Sequence, residues 1–385
     1  MPHRQDTQKD PHQKSATSNP CASLSVQRAV FELRSGRMVI VGTKTGEQAL
    51  VLAAENVTED NLKALISLSE SPVHIALTGR RAKALELIDD EQSPAFRVIL
   101  DADCTVTTIH QYADPLLGAP ASAHKVHEVP NRGYEQAAIG LTKIAQLLPT
   151  ALVSKLNTST AADAQTLAKE HNLLSVQADD IFQSERCVSQ TLRRVSEAPV
   201  PLQDAENARV IAYRPVDGGL EHLAIVIGDP QKSDKPALIR IHSQCFTGDL
   251  LGSLRCDCGD QLRGAIQAIA KDGGGVLLYL AQEGRGIGLV NKLRAYVLQD
   301  QGTDTLEANE KLGFDADERV YLPAAFMLND LGLKQVRLLT NNPTKVQGLT
   351  DANIEVVDRV SHAFPSNQHN ETYLNTKKVK AGHLL

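Results

Sequence analysis

Apolar and polar positions follow two different periods along this chain, and the switches between them mark short strands and amphipathic helices. Residues 1–25 carry almost no apolar side chains and read as a disordered tail. MVIVG at 38–42, VHIAL at 73–77 and TALVSKL at 150–156 read as strands, and LVLAAE at 50–55 as an apolar strand or the start of a buried helix. Thr58 can cap a helix whose first turn holds Glu59 and Asp60, with Leu62, Leu65 and Ile66 on one face. RRAKALELI at 80–88 and AADAQTLAKEHNL at 161–173 read as helices. Residues 134–148 form a stronger one, with Ala138, Leu141, Ile144 and Leu148 at helical spacing. Residues 111–132, with Pro115, Pro120 and Pro130, look like a long loop.

Residues 188–205, with Pro199 and Pro201, read as a linker. Beyond it RVIAYRP and EHLAIVIGD alternate as two strands joined through Asp217-Gly218-Gly219. ALIRIHS at 237–243 is a further strand, and 261–271 a helix that packs Leu262, Ile266 and Ile269. Both 276–298 and 336–346 run strand, loop, helix. The predicted fold class is α/β, mixed sheets with helices packed on them, in two domains at 26–187 and 206–385.

Composition narrows the function classes. At 385 residues with 42% hydrophobic content, two proper cores are affordable. A formal charge of −6 offers no global basic field for nucleic acid. No apolar run approaches the roughly 18 residues of a membrane span. The N-terminal stretch lacks the apolar core of a signal peptide, and its Asp6 and Asp10 argue against a transit peptide. Six cysteines, three of them clustered, fit a reducing cytoplasm better than a disulfide scaffold.

Those three are Cys245, Cys256 and Cys258, spaced C-x10-C-x-C. Thiolates are soft ligands that favour zinc over magnesium or calcium. Gly248 and Gly252 allow the intervening loop to fold back, and Cys256 and Cys258 can bind from one tight turn ending at Gly259. Three ligands leave a fourth tetrahedral position open, the mark of a catalytic site. Spacing alone equally allows a structural zinc completed by Cys104 or Cys187, or three buried thiols without metal. Arg240, His242 and Gln244 favour chemistry, because a strand would place this polar trio on one face just before the first ligand.

Other candidates follow. Gly284, Gly286 and Gly288 let backbone N–H groups approach a phosphate at a helix N-terminus, although a tight turn explains them as well. Lys292 and Arg294 read as a solvated face, Tyr296 as a packed amphipathic side chain and Thr305 as a helix cap. Asp317 and Arg319 form either a surface ion pair or a general base with a phosphate-binding arginine. Thr340 ends a strand, Asn341-Asn342-Pro343 turns, and Lys345 points from the first helical turn, which suits a triphosphate.

HSQCFTGDLLGSLRCDCGDQL, YLAQEGRGIGLVNKLRAYVLQDQGTDTLEAN, ADER and RLLTNNPTKV, in this order, closely resemble the GTP cyclohydrolase II family from about Glu197 to Leu385. The resemblance implies an enzyme that opens riboflavin synthesis by hydrolysing GTP to a diaminopyrimidine ribosylamino 5′-phosphate, formate and pyrophosphate. It implies Zn2+ on Cys245, Cys256 and Cys258, Mg2+ with the triphosphate, and a homodimer. GTP contacts are expected from Arg240, Ile241, His242, Ser243 and Gln244, from Gln261, from Glu283, Gly284 and Arg285, and from Thr305, Thr340 and Lys345. Glu283 would meet the purine's donor edge. Asp317 would be the proton acceptor. Arg319 would act as a nucleophile at the α-phosphate or stabilise pyrophosphate departure, and Tyr296 would lie near the reacting centre. Many relatives carry Glu where this chain has Gln244. A zinc hydrolase or deaminase for another purine nucleotide, or a GTP sensor without catalysis, are competing readings.

SGRMVIVG, LVLAAENVTEDNL, RGYEQAAIGLTKIA and AKEHNLLSVQADDI resemble the dihydroxybutanone-phosphate synthase domain often fused ahead of that enzyme. That family's acidic magnesium loop, D-R-E-N-E-G-D-L, is replaced here by Thr43, Lys44, Thr45, Gly46, Glu47, Gln48 and Ala49. Its G-H-T-E becomes Gly133, Tyr134, Glu135, Gln136, and a glutamate after the 150–153 strand becomes Lys155. A lysine in the site repels magnesium, so a degenerate, inactive domain is expected.

Overall fold

Two seven-stranded sheets organise the chain in a computed structural model describing residues 20–366, 368 and 370, apart from 70, 92, 102, 103, 122–124 and 158–160. The first sheet comprises β1 (Val39–Gly42), β2 (Gln48–Ala53), β3 (His74–Thr78), β4 (Ala95–Ile99), β5 (Val126–Glu128), β6 (Thr150–Leu156) and β7 (Leu174–Gln177). Their order is β5-β4-β3-β6-β2-β1-β7. Every pair is antiparallel except β1 with β7. Every residue of β3 is buried, so this sheet is covered on both faces and its strands read as apolar runs. One face packs on α1 (Pro20–Arg34), α5 (Tyr134–Ile144) and α7 (Ala178–Gln190). The other packs on α2 (Glu59–Leu68), α3 (Gly79–Ala84) and α4 (Val106–Ala113), with α6 (Ala161–Glu170) at its margin.

Several boundaries differ from the sequence reading. Helix α1 begins at Pro20, inside the stretch read as a tail, while residues 1–19 lie outside the described residues. Its buried stripe of Val26, Ala29, Val30 and Leu33 nucleates the helix, and extension into polar sequence is then favourable. Thr58 does cap α2, in a reciprocal box with Asn61, but Ile66 is 56% exposed rather than on the buried face. Helix α5 stops at Ile144 because Gln146 turns left-handed, with φ 56°. The 111–132 loop contains the three-residue edge strand β5, too short to show a period.

The second sheet comprises β8 (Arg193–Pro199), β9 (Ala208–Arg214), β10 (His222–Ile227), β11 (Ala237–Ser243), β12 (Gly275–Leu280), β13 (Gln335–Leu339) and β14 (Glu355–Val360). Its order is β14-β13-β11-β12-β10-β9-β8, parallel from β14 to β12 and antiparallel from there to β8. Strand β8 lies in the stretch read as a linker. All seven of its residues are exposed, so no apolar alternation announces it, and Pro199 falls at its end, where an edge strand tolerates proline. Helix α8 (Cys258–Lys271) covers one face, and α11 (Leu322–Asp330) with α12 (Pro343–Asp351) the other.

The remaining helices, α9 (Gly288–Asp300) and α10 (Thr305–Lys311), leave this second core. Ile287, Ala295, Leu298, Ala308, Leu312 and Phe314 are buried in one apolar cluster with Leu62, Leu65, Ile109 and Tyr112 of the first unit. Polar contacts follow the same seam. Thr78 Oγ1 donates to Gly313 O at 2.7 Å, Arg81 Nη1 to Lys311 O at 3.0 Å and Asn291 Nδ2 to Gln146 O at 2.9 Å. Arg294, read as solvated, instead pairs with Glu55 at 2.8 Å and Asp114 at 3.2 Å.

Candidate functional site

The three cysteines converge at the C-terminal end of β11. Cys245 follows the strand, and Cys258 is the first residue of α8, so that helix begins three residues earlier than its apolar spacing predicts. Their sulfurs lie within 4.8 Å of one another, with Cys245 and Cys256 at 3.7 Å. Among the described residues this is the one group of three or more side chains that could hold a metal ion. The cage is shaped for three sulfurs: a Cβ on Gly248 would stand 2.7 Å from Cys256 Sγ and 3.0 Å from Cys245 Sγ. Glycine is required there by close approach rather than by its backbone angles. Contacts from the Cys256 and Cys258 thiols, then the Lys292 ammonium, hold the Cys245 thiol far below its ordinary pKa. Contact with Cys245 pushes Cys256 up to about 11, and contacts with Cys245 and Cys256 push Cys258 well above its ordinary value. One thiolate is thus stable without a cation, and a soft cation is what would draw protons from the other two.

Side chains absent from the sequence reading hold this cage. Asp249 accepts from Cys245 N at 3.0 Å, Tyr279 OH at 2.9 Å and His242 Nε2 at 3.0 Å. Lys292, read as solvated, is buried, and its Nζ donates to Cys245 Sγ at 3.1 Å, Thr247 Oγ1 at 3.0 Å and Glu283 Oε1 at 2.8 Å. Glu283 also accepts from Phe246 N at 2.6 Å. Its carboxylate therefore anchors the cysteine loop to α9.

The cage opens into a pocket shared by β11, α8 and the loops that follow β12 and β13. Arg240, His242, Ser243, Gln244 and Gln261 line it from β11 and α8. Glu283, Gly284, Arg285, Tyr296 and Thr305 line it from the far side, and Arg319, Thr340 and Lys345 close it. Six of its side chains are Lys or Arg, with Arg255 and Lys292 joining the four read from sequence, against the single carboxylate of Glu283. Asn341, Asn342 and His362 line it as well. Arg240 Nε and His242 Nδ1 are buried there without hydrogen-bond partners among the described residues, one a donor and one an acceptor. Burial pulls Arg240 down to about 10, so it stays charged at neutral pH.

Three expected contacts sit differently. Ile241 is fully buried in the second core and reaches the site only through its carbonyl, which accepts from Lys345 Nζ at 2.8 Å. Thr305 does not cap α10; Asp304 does, accepting from Leu306 N and Glu307 N. The amides of the glycine loop are engaged internally, Gly284 N with Glu283 Oε1 and Gly286 N with Gln282 O, so its charge comes from the Arg285 side chain.

Asp317 and Arg319 lie on a segment without helix or strand between α10 and α11. Only Arg319 of the two lines the pocket, and its guanidinium grips Asp317 through Nε at 2.8 Å and Nη2 at 2.5 Å. Burial raises the Asp317 carboxyl, but the hydrogen bonds and charge of Arg319 more than offset it, leaving it below the ordinary range.

In the first unit Ala49 on β2 faces Lys155 on β6, and Lys155 Nζ donates to Glu47 Oε1 at 2.7 Å. Lys44 and Arg132 both pair with Asp179, Arg132 at 3.0 Å. Burial and then the Glu135 charge push the Tyr134 hydroxyl up to about 12.

Comparison with known proteins adds the following. The family model of GTP cyclohydrolase II matches residues 193–361, and that of 3,4-dihydroxy-2-butanone 4-phosphate synthase matches residues 27–116. A GTP cyclohydrolase-2 of Azospirillum brasilense is 49% identical, covering 94% of this chain and 94% of its own. Riboflavin biosynthesis protein RibBA of Chlorobium phaeovibrioides is 36% identical, covering 94% of this chain and 96% of its own. Its namesake in Bacillus cytotoxicus is also 36% identical, covering 94% and 98%.

Proposed function

The chain belongs to the GTP cyclohydrolase II family, and from that premise we propose that it hydrolyses GTP to a diaminopyrimidine ribosylamino 5′-phosphate, formate and pyrophosphate. The observation that carries this reading is a three-sulfur cage opening into a pocket lined by six cationic side chains and one carboxylate. Cys245, Cys256 and Cys258 would hold zinc, in keeping with their soft donor set. Bound there, zinc supplies the Lewis acidity that makes water nucleophilic near neutral pH. Magnesium would accompany the triphosphate.

The protein's own groups do the rest. Arg285, Arg319 and Lys345 neutralise the phosphates and hold the ribose end in place. Arg240 Nε and His242 Nδ1 offer the guanine a donor and an acceptor that are otherwise unsatisfied. Arg319 and Asp317 occupy each other in the free protein. Transfer of the guanidinium to a phosphate would free the carboxylate to accept a proton during ring opening. Arg319 then stabilises the charge of departing pyrophosphate, a role its permanent cation suits better than nucleophilic attack.

The first unit is read as catalytically silent. Lys155 occupies Glu47, the one carboxylate left in the loop aligned with the family's magnesium ligands. The 49% identical relative, which covers 94% of this chain, is named for the cyclohydrolase alone. A homodimer is the proposed assembly. The exposed apolar side chains of Val290, Leu293 and Val297 on α9, with Leu250, Leu251 and Leu254 of the cysteine loop, support a covered face. Among the described residues no helix is long and apolar enough to cross a membrane. Three thiols that must stay reduced favour the cytoplasm.

The test is a formate and pyrophosphate assay on zinc-loaded protein with magnesium. Formate is expected from GTP and none above a metal-only blank from ribulose 5-phosphate. Ammonia from another purine nucleotide, or GTP binding without turnover, would replace this reading. Formate from the sugar phosphate would show the first unit to be active.

A further inference from the structure

The proposed reaction makes no chemical demand on the first unit, yet that unit holds the segment carrying Asp317 and Arg319. Residues 314–320 have no helix or strand of their own. Ala316 O accepts from Arg285 Nη1 at 3.3 Å and Asn309 Nδ2 at 3.4 Å, Arg80 Nε reaches Asp315 Oδ1 at 3.5 Å, and three further ties centre on Glu318. Glu318 N donates to Arg285 O at 3.1 Å, joining the segment to the glycine loop. Glu318 Oε1 accepts from Asp315 N at 2.8 Å, closing the segment on itself. Lys143 Nζ, from the last turn of α5, donates to the same Oε1 at 2.6 Å and reaches Asp315 Oδ2 at 3.3 Å. The two loops are in backbone contact, since a Cβ on Gly286 would fall 2.9 Å from Glu318 O.

We propose that Lys143 is a positioning residue for GTP ring opening, supplied by the first unit and acting through Glu318 on the flanking Asp317 and Arg319. It rests on the reading of that pair as catalytic. The physical case is electrostatic. Lys143 and Glu318 keep only 24% and 19% of their side-chain surface, so their attraction is less screened than that of an exposed pair. Glu185 of α7 lines the same crevice, as do Gln146, Ser184 and Phe314. Lys143 is the cation that Glu318 and Asp315 share, in a crevice that Glu185 also lines, while Arg80 meets Asp315 from the other side of the pair at 3.5 Å. Without Lys143 the carboxylates repel, Glu318 turns away, Asp315 N loses its acceptor, and the segment slackens. A displacement of about 1 Å in reacting groups can cost up to about a hundredfold in rate.

Four variants of the full-length protein test this: Lys143→Met, Lys143→Arg, Glu318→Gln and the double Lys143→Met/Glu318→Gln. Lys143→Met is expected to lower kcat for formate release about tenfold or more, with KM for GTP within about twofold. Lys143→Arg should restore most of the rate, and the double variant should be no worse than the poorer single one, as coupled residues behave. Amide exchange in 315–319 should quicken in Lys143→Met at an unchanged melting temperature. A Lys143→Met enzyme with wild-type kcat, a loss confined to KM, or losses that multiply in the double variant would overturn the proposal. A wild type that releases no formate from GTP overturns the catalytic reading instead. Exchange then decides the tie by itself, and an unchanged rate in 315–319 sinks it.

Discussion

Cys256 has no substitute in its cage. The three sulfurs and Gly248 fill the space between the cysteine loop and α8, and no fourth described ligand stands within reach. Cys256→Ser should therefore retain less than a tenth of the zinc of the parent and no measurable turnover, as checked by metal analysis and formate release (about 1.4 kcal/mol per tenfold in affinity). Stoichiometric zinc with normal rates would remove it from the ligand set. Asp317→Asn keeps the shape and removes the proposed base. It should bind GTP within about threefold of the parent while ring opening falls about 10²–10⁴-fold, the usual worth of general base catalysis. A collapse of affinity at normal residual rate would make Asp317 a binding group. Residue by residue, the site was legible where chemistry is rare. Cysteine spacing marked the cage and the polar trio of β11 marked its wall. Lys292 was not legible, because a lysine on a helix looks the same in sequence whether it is solvated or locked between Cys245, Thr247 and Glu283. Asp249 was hidden for a similar reason, since its role depends on contacts made by a folded loop, and Gly248 was read as a loop hinge without its close approach to the sulfurs.

Strand β10 carries a proton-sensitive join. His222 Nδ1 accepts from Ala281 N at 3.1 Å, just past β12, so the ring must be neutral there. Burial lowers its pKa to about 4, while the unfolded chain protonates near 6.5. Between those values only the unfolded state binds the proton, so stability falls as pH drops from 6.5 towards 4. The loss from this residue is about 3–4 kcal/mol at most, taking about 1.4 kcal/mol per unit. Urea midpoints should decline across that window and decline less in His222→Gln; parallel curves would clear His222 of the effect. Helix α12 makes a second prediction. Lys345 stands in its first turn, tied to Ile241 O and facing the pocket. Lys345→Ala should weaken GTP about tenfold more than GMP if it serves the outer phosphates, as a charge-assisted bond would. Equal weakening in a binding titration would move it elsewhere. Among elements with a buried face, β3, β6, α5 and the β9–β10 hairpin were readable, while for β2 the apolar run left strand and helix both open. Those without a buried face were not. Strand β8 is exposed at every position and β5 is three residues long, while α8, read from its apolar stripe, starts three residues earlier at a cysteine of the cage.

At the scale of the whole molecule the two sheets share one apolar cluster. Ile287, Leu298, Leu312 and Phe314 are almost wholly buried against the first unit, at roughly 1.5–3 kcal/mol each. Arg294 and Arg81 bind the same seam. Neither sheet should therefore unfold alone. Loss of far-UV signal and loss of bound metal are expected to coincide in urea, and two resolved transitions would show that the seam does not couple them. This seam also has a consequence in time. Helices α9 and α10 are made long after the sheet they cover. At about 5–20 residues per second, the roughly 120 residues from the end of α7 to Phe314 take roughly 6–25 s to emerge from a ribosome. Throughout that interval the first unit waits with a bare apolar face around Leu62, Leu65 and Tyr112. A nascent chain paused between Gln190 and Gly288 is the form of this protein with the greatest need of a chaperone.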